Sequence, residues 1–334
     1  MNQPARSTTR LMPGLAIAVA LVLLFVGIRT VAPPEIGAVM SDSVKDFFTL
    51  SISVVIESLP FVFLGILLSI VVQLWLPPDT LTRRLPRNPV ARRVVISLLG
   101  VLLPVCECGN VPLARGLIVR GFTVGEAMTF LFAAPILNPV TIITTYQAFG
   151  WEDGILASRI IGGFLIANLV GWLYSRHPNP MTLLTPSFQA QCAHSHDPAP
   201  ASRLKRSMLM FAEESSAMLP ALFIGSAVAG LIQVLVSRDT LVTLGQNPVL
   251  SVVVLMALAF VIAICSNVDA FFVLSFGSTF MPGAIVAFLV FGPMIDVKML
   301  ALLRTTFTAR TLLHVTIVIG LASAALGLAV NLLV

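Results

Sequence analysis

The sequence predicts an all-α polytopic membrane protein built from two internal repeats, inverted relative to each other, with broken or re-entrant helices. Three observations lead there. Of 334 residues, 57% are hydrophobic and only 10% charged, whereas an average soluble domain is about a quarter charged. The apolar residues fall in long runs, and about 18 or more in succession read as a membrane span. Rare residues then recur in the same order in the two halves of the chain. A soluble fold of this length could not cover so much apolar surface, whereas lipid accepts it facing outward.

The first run, Leu15 to Val31, follows Arg6 and Arg10. A basic start before an apolar run is also the form of a secretory signal. No convincing small-residue cleavage site follows, so a retained helix is expected within an N-terminal region of residues 1–45. The first repeat, residues 46–175, opens with a helix over Phe47–Leu76. A shorter apolar stretch, Val94–Val105, leads into a broken region at Cys106–Gly121. Helices follow at Gly125–Phe149 and Ile155–Tyr174. Residues 176–206 carry Pro178, Pro180 and Pro186 and end on the basic Arg203, Lys205 and Arg206. They read as a partly disordered cytoplasmic linker. The second repeat, residues 207–334, contains a helix at Met208–Val236 and a short apolar stretch at Val249–Ile264. A break at Cys265–Asp269 precedes helices at Pro282–Leu303 and Leu312–Leu333.

The repeat rests on residues that do not align by chance in apolar sequence. Pro60, Gly65 and Gln73 match Pro220, Gly225 and Gln233, and Asp79-Thr80-Leu81 matches Asp239-Thr240-Leu241. Cys108-Gly109-Asn110-Val111 matches Cys265-Ser266-Asn267-Val268, and Pro135 and Asn138 match Pro293 and Asp296, all at a nearly constant offset. Charge orients the halves. The first inter-helix loop carries Arg83, Arg84, Arg87, Arg92 and Arg93, while its counterpart carries only Arg238 beside Asp239. The positive-inside rule puts the first loop in the cytoplasm and leaves the second free to be outside. If Val94–Gly121 re-enters, the halves are inverted, a common transporter plan. A parallel repeat with four spans per half is the alternative.

The net charge of +5 sits in short loops, as a topology signal, and no nucleic-acid motif accompanies it. Four cysteines, three of them in or beside apolar segments, do not make a disulfide framework. No P-loop, HExxH or GxSxG pattern is present. The expectation is therefore a non-enzymatic protein with no cofactor and no nucleic-acid partner. Its driving energy would come from an ion gradient or a partner subunit.

The sharpest chemical element is Cys106-Glu107-Cys108-Gly109-Asn110-Val111-Pro112. Residues two apart on a helix face different ways, so the two thiols converge only if the helix breaks, and Gly109 and Pro112 give reasons for a break. Glu107 is costly inside a membrane, and such residues usually mark function. Thiolates suit soft ions such as Cu(I) or Zn, and by extension trivalent arsenic. Cys106 and Cys108 are thus candidate ligands, against the alternative of small buried apolar side chains. At the second break, Asn267 and Asp269 are candidates to form a polar centre with Asn110, or alternatively to hold helices together. Asn138 and Asp296 follow kink-forming prolines. Asp296 is a candidate proton or cation carrier, or else faces water near a helix end. Glu57 reads as intramembrane, Glu213 and Glu214 as a helix start near the surface, and Cys192-Ala-His194-Ser-His196 as a solvated loop.

The stretch CECGNVPLARGLIVRGFTVGEAMTFLFAAPILNP, from Cys106 to Pro139, resembles a family of predicted bacterial permeases. That family includes the organoarsenical (ArsP-type) efflux permeases and uncharacterised YraQ-type permeases. The later elements CSNVDAF and FGPMIDVKML resemble the family's second half. The resemblance implies a multi-pass inner-membrane permease. It implies for some members the export of trivalent organoarsenicals, with thiols as ligands, which adds Cys265 to Cys106 and Cys108 as a candidate metalloid contact. The expected function is a secondary transporter for a small solute or a soft metal or metalloid species. Its transport path would include Cys106, Glu107, Cys108, Asn110, Pro112, Asn138, Cys265, Asn267, Asp269 and Asp296. Its partners would be the lipid bilayer, the substrate, a coupling proton and a second copy of the chain. The rival readings are a channel or membrane subunit of a larger transport complex, and a membrane thiol-redox protein.

Overall fold

A computed structural model describes residues 42–75, 85–103, 105–151, 153–194, 202–235, 247–277 and 279–333. The expected helix at Leu15–Val31 lies outside the described residues, as do Asp79–Leu81, Arg83, Arg84, Arg238–Leu241 and His196. Among the described residues the regular structure is helical, apart from one isolated bridge between Leu184 and Phe307.

Helix α1 (Asp42–Ile70) continues as a π-helical turn to Trp75. Short helices α2 (Pro89–Ser97) and α3 (Leu99–Leu102) then lead to α4 (Glu107–Val119). The expected span at Gly125–Phe149 is two helices, α5 (Val124–Ala133) and α6 (Pro139–Phe149), followed by α7 (Ile155–Ser175). The linker contains helix α8 (Pro186–His194). Beyond it come α9 (Arg203–Leu235), α10 (Pro248–Ile262) and the short α11 (Asp269–Leu274). The expected span at Pro282–Leu303 is likewise divided, into α12 (Pro282–Met294) and α13 (Val297–Leu303), and α14 (Ala309–Leu333) completes the described chain.

Among the described residues, five stretches are long and apolar enough to cross a membrane: Asp42–Trp75, Ile155–Ser175, Arg203–Leu235, Pro282–Leu303 and Ala309–Leu333. Their outward side chains, such as Ile56, Leu67, Leu165, Ile224, Leu313 and Leu321, are exposed and apolar, the surface that lipid covers. The α12–α13 stretch is different, with 89% of its apolar window buried within the protein. It is the central strut of the bundle.

Packing fixes which way each helix runs. Gly109 of α4 lies against Gly65 of α1, Gly116 against Ser69, and the Arg120 Nε donates to the Val72 carbonyl at 2.9 Å. Helix α4 therefore runs parallel to the end of α1, back to the face that α2 leaves. Ser175 at the end of α7 lies by Gly125 and accepts from Arg93 at 3.4 Å, which puts that end on the same face. The linker joins it, since Thr185 N donates to the Thr306 carbonyl and Thr308 N to the Leu183 carbonyl. On the opposite face, Gly230 of α9 meets Ser51 near the start of α1, and Gly283 of α12 meets Gly327 and Asn331 of α14. The helix interruptions lie between the two faces.

Several expectations are corrected here. The break precedes the cysteine motif, at Leu103–Val105, and α4 is continuous through Gly109 and Pro112. Gly109 serves close approach, because a side chain there would strike the Phe61 carbonyl. Pro112 has no N–H, so it leaves the Cys108 carbonyl without its helical partner. The linker is folded through Pro186–His194, because Phe188 buries and Gln191 finds partners in both halves of the chain. Glu214 is buried in the interior of α9, not at a surface helix start.

Helix α5 starts on a capping box: Glu126 N donates to Thr123 Oγ1 at 3.3 Å, and Thr123 N to Glu126 Oε2 at 2.9 Å. Glu126 also pairs with Arg92 of α2 at 2.5 Å. Thr123→Ala should therefore lower stability by about 1 kcal/mol, read as a shift in the denaturation midpoint in mixed micelles. An unchanged midpoint would show that the Arg92–Glu126 pair alone anchors this helix end.

Candidate functional site

Among the described residues, four helix interruptions lie between the two faces, before α4, between α5 and α6, before α11 and between α12 and α13, and residues at these places bond to one another. Cys106 is the residue before α4 and Glu107 its first residue. Glu107 is buried, with a charged partner from the other half of the chain: Lys298 Nζ lies 3.3 Å from Oε1. Glu107 Oε2 accepts from Ser266 Oγ at 3.1 Å, from Ser266 N at 3.4 Å and from the Cys265 thiol at 3.6 Å. Lys298 belongs to the first turn of α13 and is fully buried. A glycine brings each helix in. Gly65 lets α4 reach α1, and Gly225 lets α13 reach α9, where a side chain would meet Lys298 Cα at 3.1 Å.

The thiols gather at this pair. The Cys106 sulfur, a Glu107 carboxylate oxygen and the Cys265 sulfur all lie within 4.8 Å of one another, and all three residues are buried. Cys108, in the first turn of α4, is buried as well. Two soft donors and one hard donor so close together suit a soft, thiophilic cation or metalloid. Two buried polar groups on the same helices have capacity to spare: neither side-chain atom of Asn110 has a partner, and Asp296 Oδ2 has none. The other Asp296 oxygen caps α13, accepting from Met299 N at 2.5 Å. Buried polar groups are normally satisfied, so these are available to a bound solute or water.

The remaining sequence candidates occupy neighbouring positions. Asn138 caps α6, accepting from Val140 N at 3.0 Å and donating to the Val105 carbonyl at 3.4 Å. Thr141 of α6 donates to Asn267 Oδ1 at 3.4 Å. Asp269 does not join Asn110. It forms a two-pronged pair with Arg159 of α7, at 3.0 and 2.6 Å, and Arg159 also donates to Thr145 at 2.7 Å. Glu57, within α1, is exposed on that helix. Cys192, in the linker, is half-buried, and burial pushes its thiol above the ordinary range, against the charge of Arg115. Among the described residues, Cys192 is not part of the group formed by Cys106, Glu107 and Cys265.

Sequence reasoning passed over Lys298, Ser266, Arg115 and Arg159. Three of these carried a readable signal, since Lys298, Arg115 and Arg159 are charges inside apolar segments, where an ionisable residue points to function or to a buried partner. Ser266 carried none, because only its contact with Glu107 distinguishes it.

Residues 43–332 match the family designated ArsP_1, whose description is "Predicted permease". The UPF0718 protein YcgR of Bacillus subtilis is 35% identical over 261 residues, covering 78% of this chain and 88% of that protein. A Streptococcus mutans protein, named as a candidate subunit of a two-component membrane permease complex, is 31% identical over 282 residues, covering 82% of this chain and 91% of its own. The UPF0718 protein YraQ of Escherichia coli is 27% identical over 113 residues, covering 34% of this chain and 32% of that protein. No solved structure matches the chain.

Proposed function

Because this chain belongs to the ArsP_1 family of predicted permeases, and is a multi-pass membrane protein, we propose that it is a secondary transporter that moves a soft metal or metalloid species, of the kind represented by trivalent organoarsenicals. The observation that carries the substrate class is the buried group of Cys106, Glu107 and Cys265. A trivalent arsenical bearing two hydroxyls would form one As–S bond with each thiol. Each bond formed releases one water, made from an arsenic-bound hydroxyl and a thiol proton, so the protein's net charge is unchanged. Lys298 balances Glu107 throughout, which keeps an unpaired charge out of the low-dielectric interior. Asn110 and the free oxygen of Asp296 would hold the polar remainder of the solute.

In this reading residues 46–175 and 207–334 are inverted repeats joined by a cytoplasmic linker. Support comes from the helix directions. Helices α2–α4 leave and return to one face, and α10–α11 leave and return to the other. The broken spans α5–α6 and α12–α13 cross in opposite senses. Asp296 would carry a coupling proton, and self-association belongs to the same proposal.

The test is an accumulation assay in a metalloid-sensitive bacterial host, using trivalent organoarsenicals, arsenite and soft metal ions. The wild type should lower cell-associated metal or metalloid. The Cys106→Ser, Cys265→Ser double variant should lose at least the roughly 10–100-fold that removing a supporting partner costs a metal site. Equal extrusion by the double variant, at equal membrane levels, would remove the soft-ligand reading. A second reading, a membrane subunit of a larger permease complex, is favoured by the name of the Streptococcus mutans relative. It predicts that extrusion needs a second chain supplied with this one.

A further inference from the structure

Three ion pairs among the described residues are fully buried: Glu107–Lys298, Arg115–Glu214 and Arg159–Asp269. Each has one partner before the linker and one after it. The ion pairs within one half, Lys45–Asp42 and Arg92–Glu126, are more exposed. Burial of charge is thus concentrated where the two halves meet, at three levels.

The levels are set by the helices. Glu107–Lys298 is the centre. Arg115 is eight residues along α4 from Glu107, so about 12 Å nearer the linker face at 1.5 Å per residue. Its partner Glu214 lies about three turns into α9, in the half of that helix nearer the linker face from which α9 leaves. Arg159 is in the first turns of α7, which starts at the opposite face, and Asp269 opens α11, which runs toward that face.

Each outer pair is closed by further bonds, which for Arg115 reach the other half and the linker and for Arg159 stay within its own half. Arg115 Nε donates to Glu214 Oε2 at 2.9 Å. Its Nη1 donates to the Thr305 carbonyl at 3.0 Å and to Thr306 Oγ1 at 3.2 Å. Its Nη2 donates to Gln191 of the linker helix at 2.6 Å, and Gln191 in turn donates to Glu214 Oε1 at 2.9 Å. Phe188 covers the guanidinium, with its ring centroid 4.2 Å away. On the other side, Arg159 grips both oxygens of Asp269 and the Thr145 hydroxyl.

We infer that Arg115–Glu214, latched by the linker helix, and Arg159–Asp269 are the two gates of the transport path, one on each side of the Glu107–Lys298 centre, and that one parts while the other holds. The inference rests on the transporter reading above. The physics suits a gate. In a dry interior the attraction of a buried pair is largely offset by the lost hydration of its charges. Parting the pair into incoming water restores that hydration, so opening costs little, whereas parting it without water costs a great deal. Two such pairs in series give a path that opens only where water enters.

The test reads access to the central thiols and needs no substrate. In a Cys192→Ser background, a membrane-impermeant maleimide is applied to intact cells or to inverted vesicles, and labelling of Cys106, Cys108 and Cys265 is timed. With both gates present labelling should be slow from both sides. Arg115→Gln should raise the rate roughly tenfold or more from the linker side only, and Arg159→Gln by as much from the opposite side only, because each variant shifts the closed–open balance of one gate. The charge-swapped doubles, Arg115→Glu with Glu214→Arg and Arg159→Asp with Asp269→Arg, should restore slow labelling. Should a glutamine variant fail to assemble, Arg115→Lys and Arg159→Lys, which keep the charge but lose the fork, should show a smaller rise with the same sidedness. Equal labelling from both sides, the wrong side, or no rise in assembled protein overturns the gates. Thiol-dependent extrusion that persists without sidedness would remove the gates alone. Sidedness without metalloid extrusion would leave the gates and remove the substrate class.

Discussion

Replacing Lys298 with methionine should be among the most damaging single changes in this protein. Lys298 is fully buried and is the cation at Glu107, 3.3 Å from Oε1. Without it Glu107 keeps only Ser266 and Cys265 as donors. Removing one partner of a buried pair leaves an uncompensated charge and costs about 3–5 kcal/mol. The expected result is a large drop in the unfolding midpoint of the purified protein, together with loss of transport. Adding Glu107→Gln should recover most of the stability, since a neutral amide needs no countercharge, but should not recover transport. A Lys298→Met protein as stable as wild type would overturn the balanced-charge account of the site.

Gly65→Leu should have an effect of similar size by another route. A side chain at Gly65 would collide with the Gly109 carbonyl, backbone against backbone, so no flexible side chain can yield. Overpacking of this kind costs about 1–3 kcal/mol for small insertions and more for large ones. Helix α4 would move away from α1 and carry Cys106 and Glu107 with it, away from Cys265 and Lys298. Loss of thiol-dependent transport should therefore accompany the loss of stability. Gly320→Ala is the control. A Cβ there meets only Phe291 Cε2 at 3.7 Å, an ordinary contact, and alanine in a helix gains about 0.5–1 kcal/mol over glycine. If Gly65→Leu and Gly320→Ala behave alike, the α1–α4 crossing does not position the site.

The paired glycines show what could be read in advance and what could not. Gly65 and Gly225 stand out in the sequence as matched residues, but their use does not. One admits α4 and the other admits α13, and those two helices carry Glu107 and Lys298 to each other. The proline elements predicted kinks near Asn138 and Asp296, because a proline frees a carbonyl; the helices are instead divided there, since Asn138 and Asp296 cap new ones. The cysteine motif misled about its own break. Glycine and proline inside CECGNVP read as helix breakers, yet α4 runs through both, since a proline is tolerated where packing holds the helix and a glycine is required where another backbone comes close.

Composition and periodicity alone determined that this chain lives in a membrane, that its helices are long and apolar, and that certain polar residues stand where they are costly. Those conclusions follow from local properties, the length of an apolar run and the price of burying a charge, which need no knowledge of neighbours. Which charges meet was decided only by the tertiary structure. Glu107 finds Lys298 and Ser266, Asp269 finds Arg159, and Arg115 finds Glu214, at separations of 99 to 191 residues along the chain. An ion pair is selected by distance in space and by the absence of water around it, and neither is written in the spacing of residues along a helix.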